Sequence, residues 1–136
     1  MKARNGVAAT VVVWVLMFGA PGSHGLSAQQ ATFTRTVLQQ QSLSVPGREA
    51  VTAMAELQAG AVLPRHTHPG EEIGYVLEAG IVMEVDGRPS MTLKAGDSFF
   101  IPAGAPHTAR NVGVTSAKIL AVYVVETGKP LASPAP

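Results

Sequence analysis

Histidine and glutamate side chains in this sequence have the types and the spacing that metal binding requires. His66 and His68 are two residues apart, so both imidazoles project from one face if the chain is extended there. A Pro-Gly pair then bends the chain and brings Glu72 close behind them. Neutral imidazoles and a carboxylate make a mixed nitrogen and oxygen ligand set that suits a first-row transition metal. The alternative is an ordinary surface, where His-x-His and Glu-Glu pairs are common.

A second cluster ends in a single histidine. Pro102, Gly104 and Pro106 restrict the loop immediately before His107, and such a loop would hold this imidazole in a fixed position. Beyond residue 28 the sequence contains only three histidines, and all three fall in these two clusters. A protein that used histidine as a general surface residue would carry some elsewhere. The distribution therefore favours a function for the three histidines over a surface role.

The two clusters together resemble the motifs of the cupin family. The first cupin motif, G-x5-H-x-H-x3-E-x6-G, is matched from Gly60 through Glu72, but its closing glycine falls on Ala79. The second motif, G-x5-P-x-G-x2-H-x3-N, is matched in full at Gly96, Pro102, Gly104, His107 and Asn111. The stretch that carries both motifs is about half of the chain beyond residue 28.

The resemblance implies a set of metal ligands, namely His66, His68, Glu72 and His107. Glu71 is excluded as the main carboxylate because it falls one residue short of the motif spacing. These ligands imply one divalent transition metal and do not choose among Fe, Mn, Ni, Cu and Zn. As the only carboxylate of the set, Glu72 is also the candidate for a catalytic proton acceptor.

Composition narrows the possible functions. The 136 residues are enough for one domain. Two of the ten basic residues lie within residues 1–28, so the rest holds eight Lys and Arg against nine Asp and Glu, a net charge of −1. This balance does not favour binding to nucleic acid or to an anionic membrane surface. The sequence has no cysteine, which excludes disulfides, thiolate metal ligands and cysteine nucleophiles.

Residues 1–28 are typical of a secretory signal peptide. Lys2 and Arg4 form a basic start, residues 7–20 form an apolar core, and small residues follow. This core is shorter than the run of about 20 residues that a membrane span needs, and a retained anchor is the alternative. We prefer cleavage after Ala28, with cleavage after Ser27 as the other option. The segment predicts export to the periplasm or secretion.

Short segments with a period of two predict an all-β fold. We expect strands at residues 32–38, 49–57, 61–68, 73–77, 81–85, 91–93, 98–101, 107–112 and 117–125, and a polar break at residues 39–44. Short strands at this spacing are typical of an antiparallel sandwich or barrel. The cupin resemblance implies a single jelly-roll β-barrel. The chain then divides into a signal peptide (1–28), a cupin β-barrel domain (29–127) and a flexible C-terminal tail (128–136).

Four further residues are weaker candidates. Gly74 follows Glu72 by two residues, so it could leave room for a ligand beside the metal, or it could reflect crowding by the backbone. Arg65, Arg110 and Tyr123 could orient a substrate, or they could be surface or rim residues.

Two functions remain open. The first is a small metal-dependent enzyme, most plausibly an oxygenase, which acts on a small aromatic or weakly polar molecule held by apolar walls. The second is a non-catalytic module of the cell envelope that binds a metal or a small ligand. In both cases we expect a small-molecule partner, no nucleic acid, no membrane once the signal is removed, and a homodimer that pairs through sheet edges.

Overall fold

The structure is a computed structural model, and it describes residues 32–136. Ten strands follow one another: β1 (Phe33–Ser42), β2 (Arg48–Leu57), β3 (Val62–Thr67), β4 (Gly70–Glu78), β5 (Gly80–Val85), β6 (Met91–Lys94), β7 (Ser98–Ile101), β8 (His107–Arg110), β9 (Ala117–Glu126) and β10 (Ser133–Pro134). This part of the chain contains no helix, hence no helix that could cross a membrane. The predicted signal peptide lies outside the described residues.

The strands form two antiparallel sheets that pack face to face. Sheet I has the order β1-β2-β9-β4-β7, and sheet II has the order β10-β3-β8-β5-β6. The buried side chains form two clusters, and in the larger one Leu57 and Val76 of sheet I pack with Ile81 of sheet II. Buried and more exposed residues alternate along β2 and β9, so every second side chain faces the interior. The predicted all-β jelly roll is confirmed.

The first strand is longer than the sequence pattern indicates. Residues 39–44 were expected to break the sheet, but β1 continues through Ser42 beside β2. Its polar side chains find partners on β2, since the Gln40 amide donates to Glu49 at 2.9 Å and the Gln39 amide donates to Thr52 at 3.3 Å. Cross-strand hydrogen bonds therefore extend a segment that lacks an apolar face.

Ala79 stands where the first cupin motif has its closing glycine, and its backbone conformation is unusual for an alanine. This alanine joins β4 to β5 with a φ of 58°, in the left-handed region that glycine adopts at no steric cost. The following Gly80 has an ordinary φ and approaches the backbone of Leu93 closely. The turn therefore keeps the conformation that a motif glycine would allow, with the strain placed on an alanine.

Residues 128–136 lie against the barrel in the structure. Ser133 and Pro134 form β10, which pairs with Thr67 and His66 of β3. Leu131 packs against a small cluster of buried side chains that includes Tyr123. The predicted mobility of this tail stays a prediction. Its position brings it to β3, the strand that carries His66 and ends just before His68.

Candidate metal centre

Strand pairing brings the two histidine clusters together. His66 lies on β3 and His107 on the neighbouring β8, and the two are directly opposite each other in the register of sheet II. Their ring centroids are 4.2 Å apart. His68 follows the end of β3, and its ring centroid is 4.8 Å from that of His66 and 5.1 Å from that of His107. Three residues from two distant segments therefore form one compact group.

Glu72 reaches this group from the opposite sheet. It lies on β4, where it is the Cα partner of Tyr123 on one side and of Ile101 on the other. Its Oε2 atom is 3.0 Å from Nε2 of His68 and 3.3 Å from Nε2 of His107. The site is thus closed only when the two sheets are packed together.

Each of the three imidazoles is oriented by a main-chain carbonyl. Nδ1 of His66 donates to the carbonyl of Pro64 at 2.8 Å, and Nδ1 of His107 donates to that of Ala105 at 2.9 Å. Nδ1 of His68 donates to the carbonyl of Leu131 at 2.5 Å. A carbonyl oxygen only accepts, so each Nδ1 carries the hydrogen and each Nε2 of a neutral ring presents a lone pair.

The three Nε2 atoms fit a metal ion. All three are buried, and among residues 32–136 none makes a hydrogen bond of acceptable geometry. The ligand atoms of the three histidines lie within 4.8 Å of one another. Buried polar atoms without partners are costly, and three lone pairs that converge without a donor are best satisfied by a cation. His66, His68 and His107 therefore form a group that could hold a metal, with the Glu72 carboxylate beside it.

The ionisation of Glu72 depends on what lies between it and the histidines. Burial raises the pKa of its carboxyl group. Hydrogen bonds from His107 and His68 would outweigh burial and lower that pKa to about 2, but they need a hydrogen on Nε2, which the neutral rings with Nδ1–H lack. Tyr123 lies next to this carboxylate, with its ring centroid 4.7 Å from that of His68. Burial and the neighbouring Glu72 carboxylate raise the pKa of the Tyr123 hydroxyl. Tyr123 is therefore a neutral phenol at neutral pH, and a cation held by the three Nε2 atoms would keep the adjacent Glu72 ionised.

Comparison with known proteins gives the family. A family model described as the cupin domain matches residues 53–123, which is more than half of the chain. This chain belongs to the cupin family. The match confirms the resemblance carried by the two motifs, and the cupin fold agrees with the two packed sheets.

Three relatives share parts of this cupin. A dimethylsulfoniopropionate lyase, DddQ, of Ruegeria pomeroyi is 39% identical over 54 residues, which cover 40% of this chain and 27% of the lyase. Germin-like protein 1 of Brassica napus is 31% identical over 115 residues, covering 81% of this chain and 55% of the germin-like protein. An oxalate-binding protein of Thermotoga maritima is 35% identical over 74 residues, with 54% and 60% covered. The chain thus spans between 27% and 60% of these relatives.

A solved structure supports the same fold. The crystal structure of the DMSP lyase DddQ from Ruegeria pomeroyi matches this cupin with a TM-score of 0.64 at 24% identity, over 76% of this chain and 51% of the lyase chain. At this identity the likeness concerns the fold.

The four weaker candidates of the sequence analysis differ in where they lie relative to the three histidines of this cupin. The space beside Gly74 is filled by the Phe99 ring, since a Cβ atom on Gly74 would lie 2.0 Å from Cζ of Phe99. This glycine therefore serves packing and leaves no room for a ligand. Arg65 pairs with Asp86 and Arg110 with Glu84, both outside the histidine group. Tyr123 is almost fully buried and contacts the site.

Two residues that contribute to the site were not identified from the sequence. Leu131 acts through its carbonyl, and a main-chain acceptor leaves no trace in residue types. Arg35 of β1 is half-buried near Tyr123, with its guanidinium carbon 5.6 Å from that ring's centroid. The alternation of Phe33 and Arg35 along the first strand is the signal that could have placed Arg35 on the inward face.

Asn111, the last residue of the second motif, has a structural role. Its side-chain amide is buried and donates to the carbonyls of Leu57 at 2.9 Å and Thr115 at 2.7 Å. Its Oδ1 accepts from the backbone N–H of Gly113 at 2.9 Å. These three hydrogen bonds tie the chain after β8 to the end of β2, so Asn111 fixes the strand that carries His107.

We expect truncation before Leu131 to weaken metal binding. A chain that ends at Lys129 loses the carbonyl that orients His68, and loss of such a partner typically lowers metal affinity about 10–100-fold. A chain that ends at Pro134 keeps both that carbonyl and β10, so it is the matched control. Competition with a chromophoric chelator measures both affinities, and circular dichroism checks the fold. Equal affinities in the two truncated chains would contradict this role of the C-terminal segment.

We also expect the metal-free protein to lose stability in mild acid through His66. Burial, then the nearby His107, lowers the pKa of His66 from 6.5 to about 4. Between pH 4 and pH 6.5, His66 is protonated in the unfolded chain but neutral in the folded chain. The stability that the folded state gains from keeping His66 neutral is therefore complete above pH 6.5 and is lost as the pH falls towards 4.

Urea unfolding of metal-free protein at pH 7 and pH 5 measures this effect. We expect the free energy of unfolding to fall between these pH values by on the order of 2 kcal/mol more in the wild type than in His66→Gln. The comparison removes the titration of all other groups. An equal fall in both proteins would show that His66 does not keep a low pKa.

Proposed function

We propose that this cupin is a metal-dependent enzyme that acts on a small organic molecule. The observation that supports the proposal best is the group of three buried Nε2 lone pairs with a carboxylate beside it. Three imidazoles and one carboxylate leave coordination positions open on a six-coordinate ion. The bound divalent ion, which is one of Fe, Mn, Ni, Cu or Zn, supplies Lewis-acid chemistry and a template for orienting substrate. The reaction type we predict first is oxygenation.

The chain's own residues would share the remaining work. His66, His68 and His107 hold the ion, and their carbonyl partners keep the rings in place. Glu72 serves as the fourth ligand. As a ligand it is held in its ionised form, so it would accept a proton only after it loosens from the ion.

A non-catalytic binding module is the second candidate. It is favoured by the likeness to the oxalate-binding protein of Thermotoga maritima, which is named for binding. An enzyme shows turnover that disappears with the metal, whereas a binding module shows only saturable affinity. The lyase name of the DddQ relative adds elimination to the reactions worth testing beside oxygenation.

Export and dimer formation complete the proposal. The basic and apolar pattern of residues 1–28 supports a periplasmic or secreted protein. A homodimer is supported by two surfaces. Strand β1 is an edge of sheet I, and the outer face of the same sheet exposes apolar side chains, with Ile73 and Phe100 each 48% exposed and paired in register.

We expect His66→Ala and His107→Ala to lose most of the bound metal, because each change removes one of four ligands. Elemental analysis of protein prepared from its native compartment gives both the identity of the metal and its occupancy. Arg110→Ala, which alters an exposed ion pair away from the histidines, is the control. Full metal occupancy in both histidine variants would refute the ligand assignment.

Activity is tested on protein loaded separately with Fe(II), Mn(II), Ni(II), Cu(II) and Zn(II). Oxygen uptake and release of elimination products are followed against phenols, flavonols, diketones, thiols and small organic acids. We expect turnover with one metal and none with His107→Ala. Tight and reversible ligand binding without turnover with any metal would move the assignment to the binding module.

We expect light scattering to give a dimer for the wild type at micromolar concentration. Placing charges in the apolar outer face with Ile73→Lys and Phe100→Lys should produce monomers if that face is the interface. Leu38→Lys on the edge strand tests the alternative surface, and Val114→Lys in an exposed loop is the control. A monomeric wild type would end the dimer prediction.

A further inference from the structure

A cavity of about 250 Å³ opens beside the metal centre, and His66 forms part of its wall. It lies between β1, β3 and the segment that contains β10. Phe33, Leu63 and Pro64 give it apolar walls, whereas Arg35 and Arg65 give it positive charge. The volume is just below the range of about 300–1,000 Å³ that drug-sized ligands occupy. The cavity is open to solvent over much of its extent, so this volume describes the part of a ligand that lies against these residues.

Arg35 is the positive charge in this cavity that the described residues leave unpaired. Arg65 forms an ion pair with Asp86, so its charge is offset. In residues 32–136 no carboxylate forms an ion pair with Arg35, and its buried Nε makes no hydrogen bond. No acidic side chain from this part of the chain lines the cavity. A half-buried guanidinium without a counter-ion is costly unless a ligand completes it.

Two aromatic rings hold the Arg35 guanidinium in place. Its central carbon is 5.4 Å from the centroid of the Phe33 ring and 5.6 Å from that of the Tyr123 ring. A guanidinium has five N–H groups, so Arg35 can approach the Tyr123 hydroxyl and still donate to a ligand. The planar fork of these N–H groups matches the two oxygens of a carboxylate.

We infer that Arg35 binds the carboxylate of a small organic acid, whose short apolar body lies against Phe33, Leu63 and Pro64 and extends towards His66. This inference rests on the proposed function for what happens at the metal, and it adds the substrate class. One unpaired arginine fits a single carboxylate group, and a bulkier anion with a higher charge would need further basic partners.

Titration with matched acids and amides tests the inference. Benzoate and butanoate are compared with benzamide and butanamide, which have similar shapes and no charge, by ligand-observed NMR. We expect the wild type to bind each acid at least about tenfold more tightly than its amide, as is usual for a hydrogen-bonded charge. Arg35→Gln should abolish this preference, and Arg35→Lys should restore part of it, since lysine keeps the charge without the fork.

Controls separate this inference from the proposed function. Arg110→Gln removes an equal charge from the outer surface, so it should keep the preference for the acids. All titrations are made with metal-loaded protein and again after treatment with a chelator. A preference that depends on Arg35 in both states supports the carboxylate site even if no turnover is found. Acid binding that persists unchanged in both Arg35→Gln and Arg35→Lys, or equal binding of acid and amide by the wild type, overturns it.

Discussion

Three imidazole lone pairs that face one another in a dry interior are the constraint on which this structure depends. The carbonyls of Pro64, Ala105 and Leu131 each accept the Nδ1 hydrogen of one histidine, so no Nε2 hydrogen remains to relieve the cluster. In residues 32–136 the Nε2 atoms have no hydrogen-bond donor. Such an arrangement lowers the stability of the metal-free fold, because buried polar atoms without partners are costly. A cation that binds only the folded state would stabilise it by mass action.

The two sheets must close before this constraint exists. Sheet II places His66 opposite His107, whereas Glu72 belongs to sheet I and reaches across the interior. Packing contacts away from the site therefore decide its geometry. The Phe99 ring fits over Gly74 on the face that carries Glu72, and the Asn111 amide ties the end of β8 to the end of β2. A cation bound at this site would therefore be coupled to folding through the whole sandwich.

The sequence predicts those features of the fold and of the site that depend on residue types close together in the chain. Alternating apolar residues predict the strands, and motif spacing brings His66 and His107 together because it encodes a pairing register. A polar strand end cannot be predicted in this way. Residues 39–42 extend β1 because Thr52 and Glu49 of β2 lie beside them and accept hydrogen bonds. The role of the Leu131 carbonyl cannot be predicted from the sequence either, since every residue has a main-chain carbonyl. Gly74 was interpreted as room for a ligand or as crowding by the backbone, and the structure shows instead that the Phe99 side chain fills the space beside it.

Charge then constrains what the site can accept. A divalent ion with three neutral imidazoles and one carboxylate keeps a net charge of about +1, and the Arg35 guanidinium adds another beside it. The cavity wall from the described residues carries no acid to offset either charge. Apolar walls alone would favour the aromatic or weakly polar molecule expected from the sequence, but such a molecule would leave both charges poorly solvated. The organic acid that we propose would satisfy the walls and the charges together, and this argument for an anionic head group rests on electrostatics rather than on cavity shape.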